Sequence, residues 1–450
     1  MPTNMSPVRS FWRPARSTGW NMPIINPLSP TARARRVIAP ADRRVPTRTL
    51  LSLILLGLAT MSACADQAGA AASPSPPPSP SLSYDQVKIT DHYDSGFLRP
   101  FKVMGNVIEF DLREQNHPFI DCQIKAPSQE LTIRLLLEKE TERRFANQGL
   151  FVSPDGVGFE LRPLKKVAEA IYECQVSVGG TGFVRISTNY PYGRDNLEQL
   201  LADTAGSTVG RWKCMRQKSR SVWLFEAGND DGKAVVHYFI AGEDCREPLG
   251  QWVADRMIRI LCTDSQLSAK VVQNAVIRIC PLLSPYTASD RGHDSYTSEL
   301  TGQHIYGAAT WATDPLPPEI DLLHALIVKT IQERRLGMAL TIHSWWAKQP
   351  RTELQTIRSA GGNVLSAERV QWATATMNRF MENVPHAYVT LPERTWHPGL
   401  MREVMLERYN AITFRVEVTT QDQVTARGEA TAEAFLKNLA KMENWDRVLH

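Results

Sequence analysis

The chain has 450 residues, of which 43% are hydrophobic and 22% are charged, and this is enough apolar sequence for two domains with separate cores. The net charge of +4 arises from residues 1–63, which contain nine Arg and one Asp, while the rest of the chain carries 42 Lys and Arg against 46 Asp and Glu. Because this remainder is slightly acidic, the sequence excludes the broad cationic surface of a nucleic-acid-binding protein, and no nucleic-acid partner is expected.

The N-terminal segment predicts export. Three arginines within residues 43–48 precede an apolar run at 50–59, which is too short to span a bilayer but typical of a signal-peptide core. The next residues, MSAC at 61–64, resemble a bacterial lipobox with Met in place of the usual Leu. We therefore predict a leader over residues 1–64 and a lipid on Cys64, which would anchor the protein in the cell envelope and be its only contact with a membrane. Ordinary signal cleavage without a lipid, leaving a periplasmic protein, is the alternative.

A Pro/Ser/Ala-rich linker is predicted at residues 65–83, ending in the tract SPSPPPSPSLS at 73–83. Such a tract cannot bury a core and favours extended, semi-rigid chain. Beside a lipid anchor it is expected to act as a spacer, and a disordered junction is the alternative. Folded structure is expected to begin near Tyr84.

Residues 84–193 are predicted to form an antiparallel β-sandwich domain. Short runs of alternating apolar residues follow one another and are separated by Gly, Pro, Asn and Asp, with no long helical period between them. The runs are VIEFDL, ELTIRLLL, GFELRPL, IYECQVSV and GFVRIST.

Six cysteines follow the lipobox, and an even number in an exported chain permits disulfide bonds. Cys122 and Cys174 are a candidate pair because both lie on predicted strands of the first domain. Cys262 and Cys280 are expected to be buried thiols. The sequence contains no Cys-x-x-Cys pair, which argues against a zinc site built from cysteines.

Residues 194–450 predict an α/β domain, because strands now alternate with helices. Such alternation favours a mixed, mostly parallel sheet with helices on both faces, and ligands of these sheets bind at the carboxyl ends of the strands. The strands are predicted at 221–228, 234–242, 275–283, 338–346 and 411–420, and the helices at 250–261, 319–333, 367–381 and 426–442.

Candidate site residues lie on or just after three of these strands. Asp244 and Glu247 lie in a loop between a strand and a helix, His343 lies near the end of a later strand, and Glu417 lies inside a late one. Two carboxylates and an imidazole can hold one divalent metal ion with a position open for water, and Glu417 can accept a proton from that water. The alternatives are that the loop carboxylates cap the helix, that His343 is a core histidine, and that Glu417 pairs with an arginine such as Arg415. Burial of Glu417 between two valines favours a functional role, since an unpartnered buried carboxylate is costly.

These segments resemble the zinc carboxypeptidases, in particular the cytosolic-carboxypeptidase-like branch and its bacterial relatives. In that family a His-x-x-Glu motif follows a strand and opens a helix, a second His ends a later strand, and a catalytic Glu lies on a strand near the C-terminus. The matching segments are HYFIAGEDCREPLGQWVADRMIRIL, ALTIHSWW and AITFRVEVTT. ITDHYDSGFLRPF and TNYPYGRDNLEQLL resemble the start and the end of the β-sandwich that precedes the catalytic domain in this branch.

The resemblance implies a carboxypeptidase-like α/β domain preceded by a β-sandwich, with one zinc ion held by Asp244, Glu247 and His343. It implies that Glu417 is the general base. Arg246 matches an arginine that carboxypeptidase A-type members carry before the ligand Glu, and its implied role is to polarise the scissile carbonyl or to steer an anionic substrate.

The sequence departs from the family at several of these positions. Asp244 occupies the place of the first ligand His, and Tyr306 falls where the family has the Asn-Arg pair that binds the terminal carboxylate of the substrate. Arg291, in a replaced loop, is a candidate to compensate, and its alternative is a surface arginine. His397 falls where the substrate-contacting loop of the family lies, and its alternative is a turn residue.

The expected function is a metal-dependent hydrolase of peptide or amide bonds outside the cytoplasm, with cell-wall peptides as the substrate suggested by location. The alternative is a catalytically impaired pseudoenzyme of the same fold that binds peptides or cell-envelope components. Related folds also cleave small acyl groups from amino acids, but no distinct sequence signal favours that activity here.

Overall fold

The computed structural model describes residues 86–90, 100–113, 119–127, 130–139, 142, 149–156, 158–217, 220–243, 247–273, 275–283, 311–344, 350–393, 399–419 and 424–442. The predicted leader with Cys64, the linker, and the candidate site residues Asp244, Arg246, Arg291, Tyr306 and His397 lie outside these residues. Within them, no helix has the length and apolar character needed to cross a membrane.

The N-terminal region is built from two sheets, each of five strands within the described residues. The first has the order β1-β4-β10-β6-β7 and the second β2-β3-β5-β9-β8. The strands are β1 (Lys88–Thr90), β2 (Phe101–Met104), β3 (Val107–Asp111), β4 (Asp121–Lys125), β5 (Glu130–Leu136), β6 (Gly149–Ser153), β7 (Glu160–Pro163), β8 (Lys165–Ala168), β9 (Ile171–Ser177) and β10 (Phe183–Ser187).

Alternate apolar residues of both sheets meet in one buried cluster, which includes Ile108, Ile124, Ile133 and Ile186. This is the pattern of strands that each bury one face. The strand pairs are antiparallel except for β3 and β5, which run parallel. The chain between these two strands contributes β4 to the other sheet before it returns, so β5 enters beside β3 in the same direction.

The candidate disulfide between Cys122 and Cys174 is not formed, because both residues are buried thiols. Cys122 lies on β4 and Cys174 lies on β9, in different sheets. Cys262 and Cys280 are thiols, as expected, with Cys280 buried and Cys262 only partly so.

The C-terminal region contains a mixed sheet of eight strands among the described residues, in the order β11-β12-β14-β13-β15-β20-β16-β19. Four of the seven strand pairs are parallel, which confirms the predicted mixed, mostly parallel sheet. Its strands are β11 (Gly210–Gln217), β12 (Arg220–Ala227), β13 (Val235–Ala241), β14 (Ala275–Cys280), β15 (Leu336–Ser344), β16 (Arg351–Gln355), β19 (Ala387–Thr390) and β20 (Phe414–Thr419). β17 (Ser359–Ala360) and β18 (Asn363–Val364) pair with each other in a separate two-stranded sheet. The helices are α1 (Arg194–Thr204), α2 (Pro248–Thr263), α3 (Ser265–Val272), α4 (Pro318–Gln332), α5 (Ala367–Phe380), α6 (Met401–Tyr409) and α7 (Val424–Lys441).

Helices cover both faces of this sheet. Along β13, Phe239 packs into a cluster with α2, α5 and α7, while its neighbours Tyr238 and Ile240 pack into a second cluster with α4 and α6. A strand that buries both faces has a continuous run of hydrophobic residues in its sequence. This is why VVHYFIA could be identified as a strand from the sequence.

Strand register places polar residues side by side at the carboxyl ends of the central strands. His343 on β15 is the Cα partner of Glu417 on the parallel strand β20, and Glu417 is in turn the partner of Glu353 on β16. On the other side of β15, β13 ends at Ala241 and the chain turns at Gly242, whose φ is +75°. A Cβ at Gly242 would lie 2.9 Å from the Cα of Leu282, so glycine is needed for this turn.

Candidate functional site

The centre of the candidate site is the imidazole of His343, which lies between two carboxylates. Nε2 of His343 is 2.6 Å from Oε2 of Glu243, and Nδ1 is 2.6 Å from Oε2 of Glu247. Glu243 follows the turn after β13, Glu247 immediately precedes α2, and all three side chains are buried. The fold therefore joins the ends of β13 and β15 through one charged, desolvated cluster.

Each carboxylate has a further hydrogen bond. The indole Nε1–H of Trp311, a fully buried residue, donates to Oε1 of Glu243. The backbone N–H of Ser344 donates to Oε2 of Glu247 at 3.3 Å. The sequence patterns did not predict Glu243; the available signal was an acidic residue directly after a glycine that ends a buried strand.

The protonation of His343 is set by opposing effects. Burial and the nearby Arg415 lower its pKa, but the charges of and hydrogen bonds to Glu247 and Glu243 outweigh them and raise the pKa to about 9. In the metal-free protein at neutral pH, His343 is therefore an imidazolium ion that compensates the charge of the carboxylates.

Glu417 presents one engaged and one unengaged carboxylate oxygen. Oε1 forms an ion pair with Nη2 of Arg415, while the buried Oε2 accepts no hydrogen bond from any described residue. Burial raises the pKa of Glu417, although Arg415 counteracts this. The ion pair with Arg415 considered from the sequence thus exists, but it leaves one oxygen available beside His343.

A second arginine, the buried Arg402, adds positive charge around Glu417. Arg402 donates from Nη1 to Oε1 of Gln355 at 2.6 Å, and burial, assisted by Arg415, lowers its pKa to about 10. Glu353, the strand partner of Glu417, accepts a hydrogen bond from Thr390 at 2.9 Å. Neither Arg402 nor Glu353 was predicted, since Glu353 is brought near by the pairing of β16 with β20 and Arg402 by the contact of α6 with Gln355 on β16.

The structure thus brings together Glu247 and His343 and places Glu417 on the neighbouring strand. Among the described residues, no group of three His, Cys, Asp or Glu side chains is placed to hold a metal ion. The reason is geometric: the two ring nitrogens of His343 face opposite ways, so Glu243 and Glu247 do not converge on one point. The third ligand implied by the sequence, Asp244, lies outside the described part of the chain.

The arrangement nevertheless fits a divalent metal ion shared by His343 and Glu247. Nδ1 of His343 and Oε2 of Glu247 face each other, and both are atom types that zinc binds. Nε2 is held by a second carboxylate, as is usual for histidines that bind metals through their other nitrogen.

Comparison with solved structures finds the same fold in metallo-carboxypeptidases. A metallo-carboxypeptidase from Burkholderia cenocepacia superposes with a TM-score of 0.64 at 14% identity, covering 79% of this chain and 98% of that one. A metallo-carboxypeptidase from Pseudomonas aeruginosa, in complex with (2-guanidinoethylmercapto)succinic acid, gives 0.62 at 15% identity, covering 80% and 100%. Neither the protein-family models nor the curated proteins give a match. The chain therefore has the fold of the bacterial metallo-carboxypeptidases over nearly their whole length.

Proposed function

We propose that the protein is a metal-dependent hydrolase of peptide or amide bonds of the carboxypeptidase type. The observation that carries this proposal is that Glu247, His343 and Glu417 lie together at the carboxyl ends of neighbouring strands. Oε2 of Glu417 is buried there and accepts no hydrogen bond from the described residues. Sheets of this kind bind their ligands at that edge. The shared fold supports the proposal as an analogy, because a fold alone does not fix a function.

Glu247 and His343, with Asp244 as third ligand, would hold one divalent ion, with zinc as the candidate. A bound divalent ion acts as a Lewis acid on water and on the substrate carbonyl. Asp244 in place of a neutral imidazole makes the ligand set more negative, which weakens this polarisation and favours harder metals than zinc somewhat more.

Glu417 is assigned to proton transfer. Its Oε2 accepts the proton of the attacking water, and the carboxylic acid then returns that proton to the leaving amine. Burial supports this role because it raises the pKa of Glu417 and makes the carboxylate a stronger base. Arg415 holds the other oxygen and so fixes the direction in which Oε2 points.

The substrate assignment rests on the sequence. Arg246 is proposed to polarise the scissile carbonyl, and Tyr306, Arg291 and His397 are proposed to contact the substrate. Because Tyr306 replaces the Asn-Arg pair, the site has no clear requirement for a terminal carboxylate. The leader and Cys64 favour an envelope location and cell-wall peptides, with residues 84–193 as a β-sandwich domain beside the catalytic one at 194–450.

The proposal is tested by metal content. We expect the full purified chain to retain about one divalent ion, because a catalytic site with three protein ligands holds a single ion. The chain should also melt at a higher temperature with zinc than after chelation. The variant Glu247→Gln, which removes a ligand charge, is expected to lose this zinc-dependent shift. A wild-type chain that gains no thermal stability from zinc or another divalent metal contradicts the proposal.

A further inference from the structure

The two sides of the His343 ring differ in what lies beyond them. On the Nδ1 side, Oε2 of Glu247 is 2.6 Å from the ring and also accepts a hydrogen bond from the backbone N–H of Ser344. On the Nε2 side, Glu243 is 6% exposed and has both oxygens engaged, one with His343 and one with Trp311. Both oxygens of the carboxylate on the Nε2 side are thus engaged.

We propose that Glu243 is a positioning residue that fixes the tautomer of His343, keeping a proton on Nε2 so that Nδ1 presents its lone pair to the metal ion. This inference rests on the proposed metal site. It assigns to Glu243 a role outside the ligand set, acting only through the ring of His343, with Trp311 holding the carboxylate in place.

The hydrogen-bonding capacity of the Glu243 carboxylate is what this role requires. Its two oxygens accept from two donors, the indole N–H of Trp311 and the Nε2–H of His343. A glutamine has only one acceptor oxygen, and its NH₂ group would face one of these two donors. If the NH₂ faces His343, it stabilises the tautomer with the proton on Nδ1, which cannot bind a metal through that nitrogen.

The test measures zinc affinity of the full-length protein by competition with a chromophoric chelator, with zinc alone as the probe. Glu243→Gln is expected to weaken zinc binding roughly 10- to 100-fold, the usual effect of removing a carboxylate that orients a metal-binding histidine. Glu226→Gln is the matched control: Glu226 is also a buried carboxylate, but it belongs to a separate network with Arg278 and Lys213, and its replacement is expected to leave zinc affinity unchanged.

A second variant distinguishes a role of Glu243 in orienting His343 from a role in supporting the fold. Trp311→Phe removes the competing donor, so in the double variant Glu243→Gln/Trp311→Phe the amide oxygen can accept from Nε2–H. We expect the double variant to bind zinc more tightly than Glu243→Gln alone. If Glu243 only supported the fold, the second substitution would deepen the loss, and that result overturns the proposal.

The ring nitrogens of His343 provide a readout independent of affinity. In the zinc-loaded wild type, long-range ¹⁵N–¹H correlation spectra are expected to show a protonated Nε2 and a metal-bound Nδ1, with the signals assigned by their absence in His343→Gln. Metal on Nε2, or equal zinc affinity in wild type and Glu243→Gln, defeats this inference and leaves the proposed function standing. A wild type that binds no divalent metal defeats both.

Discussion

Glu417 is a carboxylate inside a buried strand, flanked by valines, with one oxygen that accepts no hydrogen bond from the described residues. A buried carboxylate costs several kcal/mol unless it is compensated, and Arg415 supplies only part of that compensation. Such an atom is an expected feature of a site where substrate or water completes the hydrogen bonds.

Replacing Glu417 with Gln should strongly reduce hydrolysis while leaving metal binding in place. The amide keeps the shape of the side chain but cannot accept a proton, so turnover is expected to fall about 10²- to 10⁴-fold. Peptide cleavage and zinc affinity, measured on the same preparation, check this. Full activity in Glu417→Gln would remove Glu417 from the mechanism.

His237 is expected to make the free energy of unfolding depend on pH. It is fully buried on β13, its Nδ1 accepts a hydrogen bond from the N–H of Met338, and burial lowers its pKa to about 3. The unfolded chain takes up this proton near pH 6.5 and the folded chain does not, so His237 makes the free energy of unfolding fall as the pH drops from about 6.5 to about 3.

In that pH range, His237 changes the free energy of unfolding by up to about 1.4 kcal/mol per pH unit. Urea unfolding of wild type and His237→Asn at a series of pH values isolates it, because Asn retains an acceptor for Met338 and does not titrate. Parallel pH profiles for the two proteins would show that His237 is not the source.

How much of the site could be predicted depends on how far each signal extends along the chain. Glu247 and His343 lie in segments with a recognisable local pattern, and the structure puts them 2.6 Å apart. Glu243, Arg402 and Glu353 have no such pattern, because their roles arise from strand register and from packing between segments more than 40 residues apart. Periodicity within one segment carries no information about such contacts.

At the scale of elements, the five predicted strands of the C-terminal region lie within three residues of the observed ends. The strand predicted at 234–242 is Val235–Ala241, and that at 338–346 is Leu336–Ser344. The strand Arg351–Gln355 was not predicted, because RTELQ is short and polar and is held by pairing with β20 and β19. Its strand character comes from its neighbours.

Helix α2, which begins next to Glu247, packs unusually close to β15. A Cβ at Gly250 would lie 2.4 Å from the carbonyl oxygen of Ile342, the residue before His343. Gly428 in α7 offers a contrast, because a Cβ there would meet its nearest neighbour, Trp252, at an ordinary 3.5 Å. Both glycines are helical, but only Gly428 has room for a methyl group.

The two alanine substitutions should change stability in opposite directions. Gly428→Ala gains helix propensity and is expected to raise the free energy of unfolding by about 0.5–1 kcal/mol. Gly250→Ala would push α2 away from β15 and is expected to lower it by about 1–3 kcal/mol, as overpacking does. Chemical denaturation of both variants measures this. A stabilised Gly250→Ala protein would show that α2 has room beside β15.

At the scale of the whole molecule, an aromatic cluster joins the N-terminal sheets to the helix that begins next to Glu247. Trp252 on α2 has ring contacts of 5.5 Å with Tyr190 and 5.0 Å with Tyr192, both located just after β10. The hydroxyl of Tyr192 donates to Oδ2 of the buried Asp255 at 3.1 Å. The N-terminal region is therefore attached to the same helix that positions the candidate metal ligand.

Tyr192→Phe tests this attachment. It removes the hydrogen bond to Asp255, which remains paired with Arg259, so the expected loss is about 1.5 kcal/mol in the free energy of unfolding, the low end for a bond to a charged group. The cleanest comparison is a double-variant cycle with Asp255→Asn. Additive losses in that cycle would mean that the two side chains do not interact.

The central claim is that this fold still activates water at the candidate site despite Asp244. The most direct measurement is mass spectrometry of a peptide library, with free and amidated C-termini, incubated with the full-length protein loaded with zinc and again after chelation. We predict cleavage that depends on the metal and falls sharply in Glu417→Gln. No cleavage by the zinc-loaded wild type, together with cleavage by Asp244→His, would contradict the account and identify the protein as an impaired relative that binds its ligands without hydrolysing them.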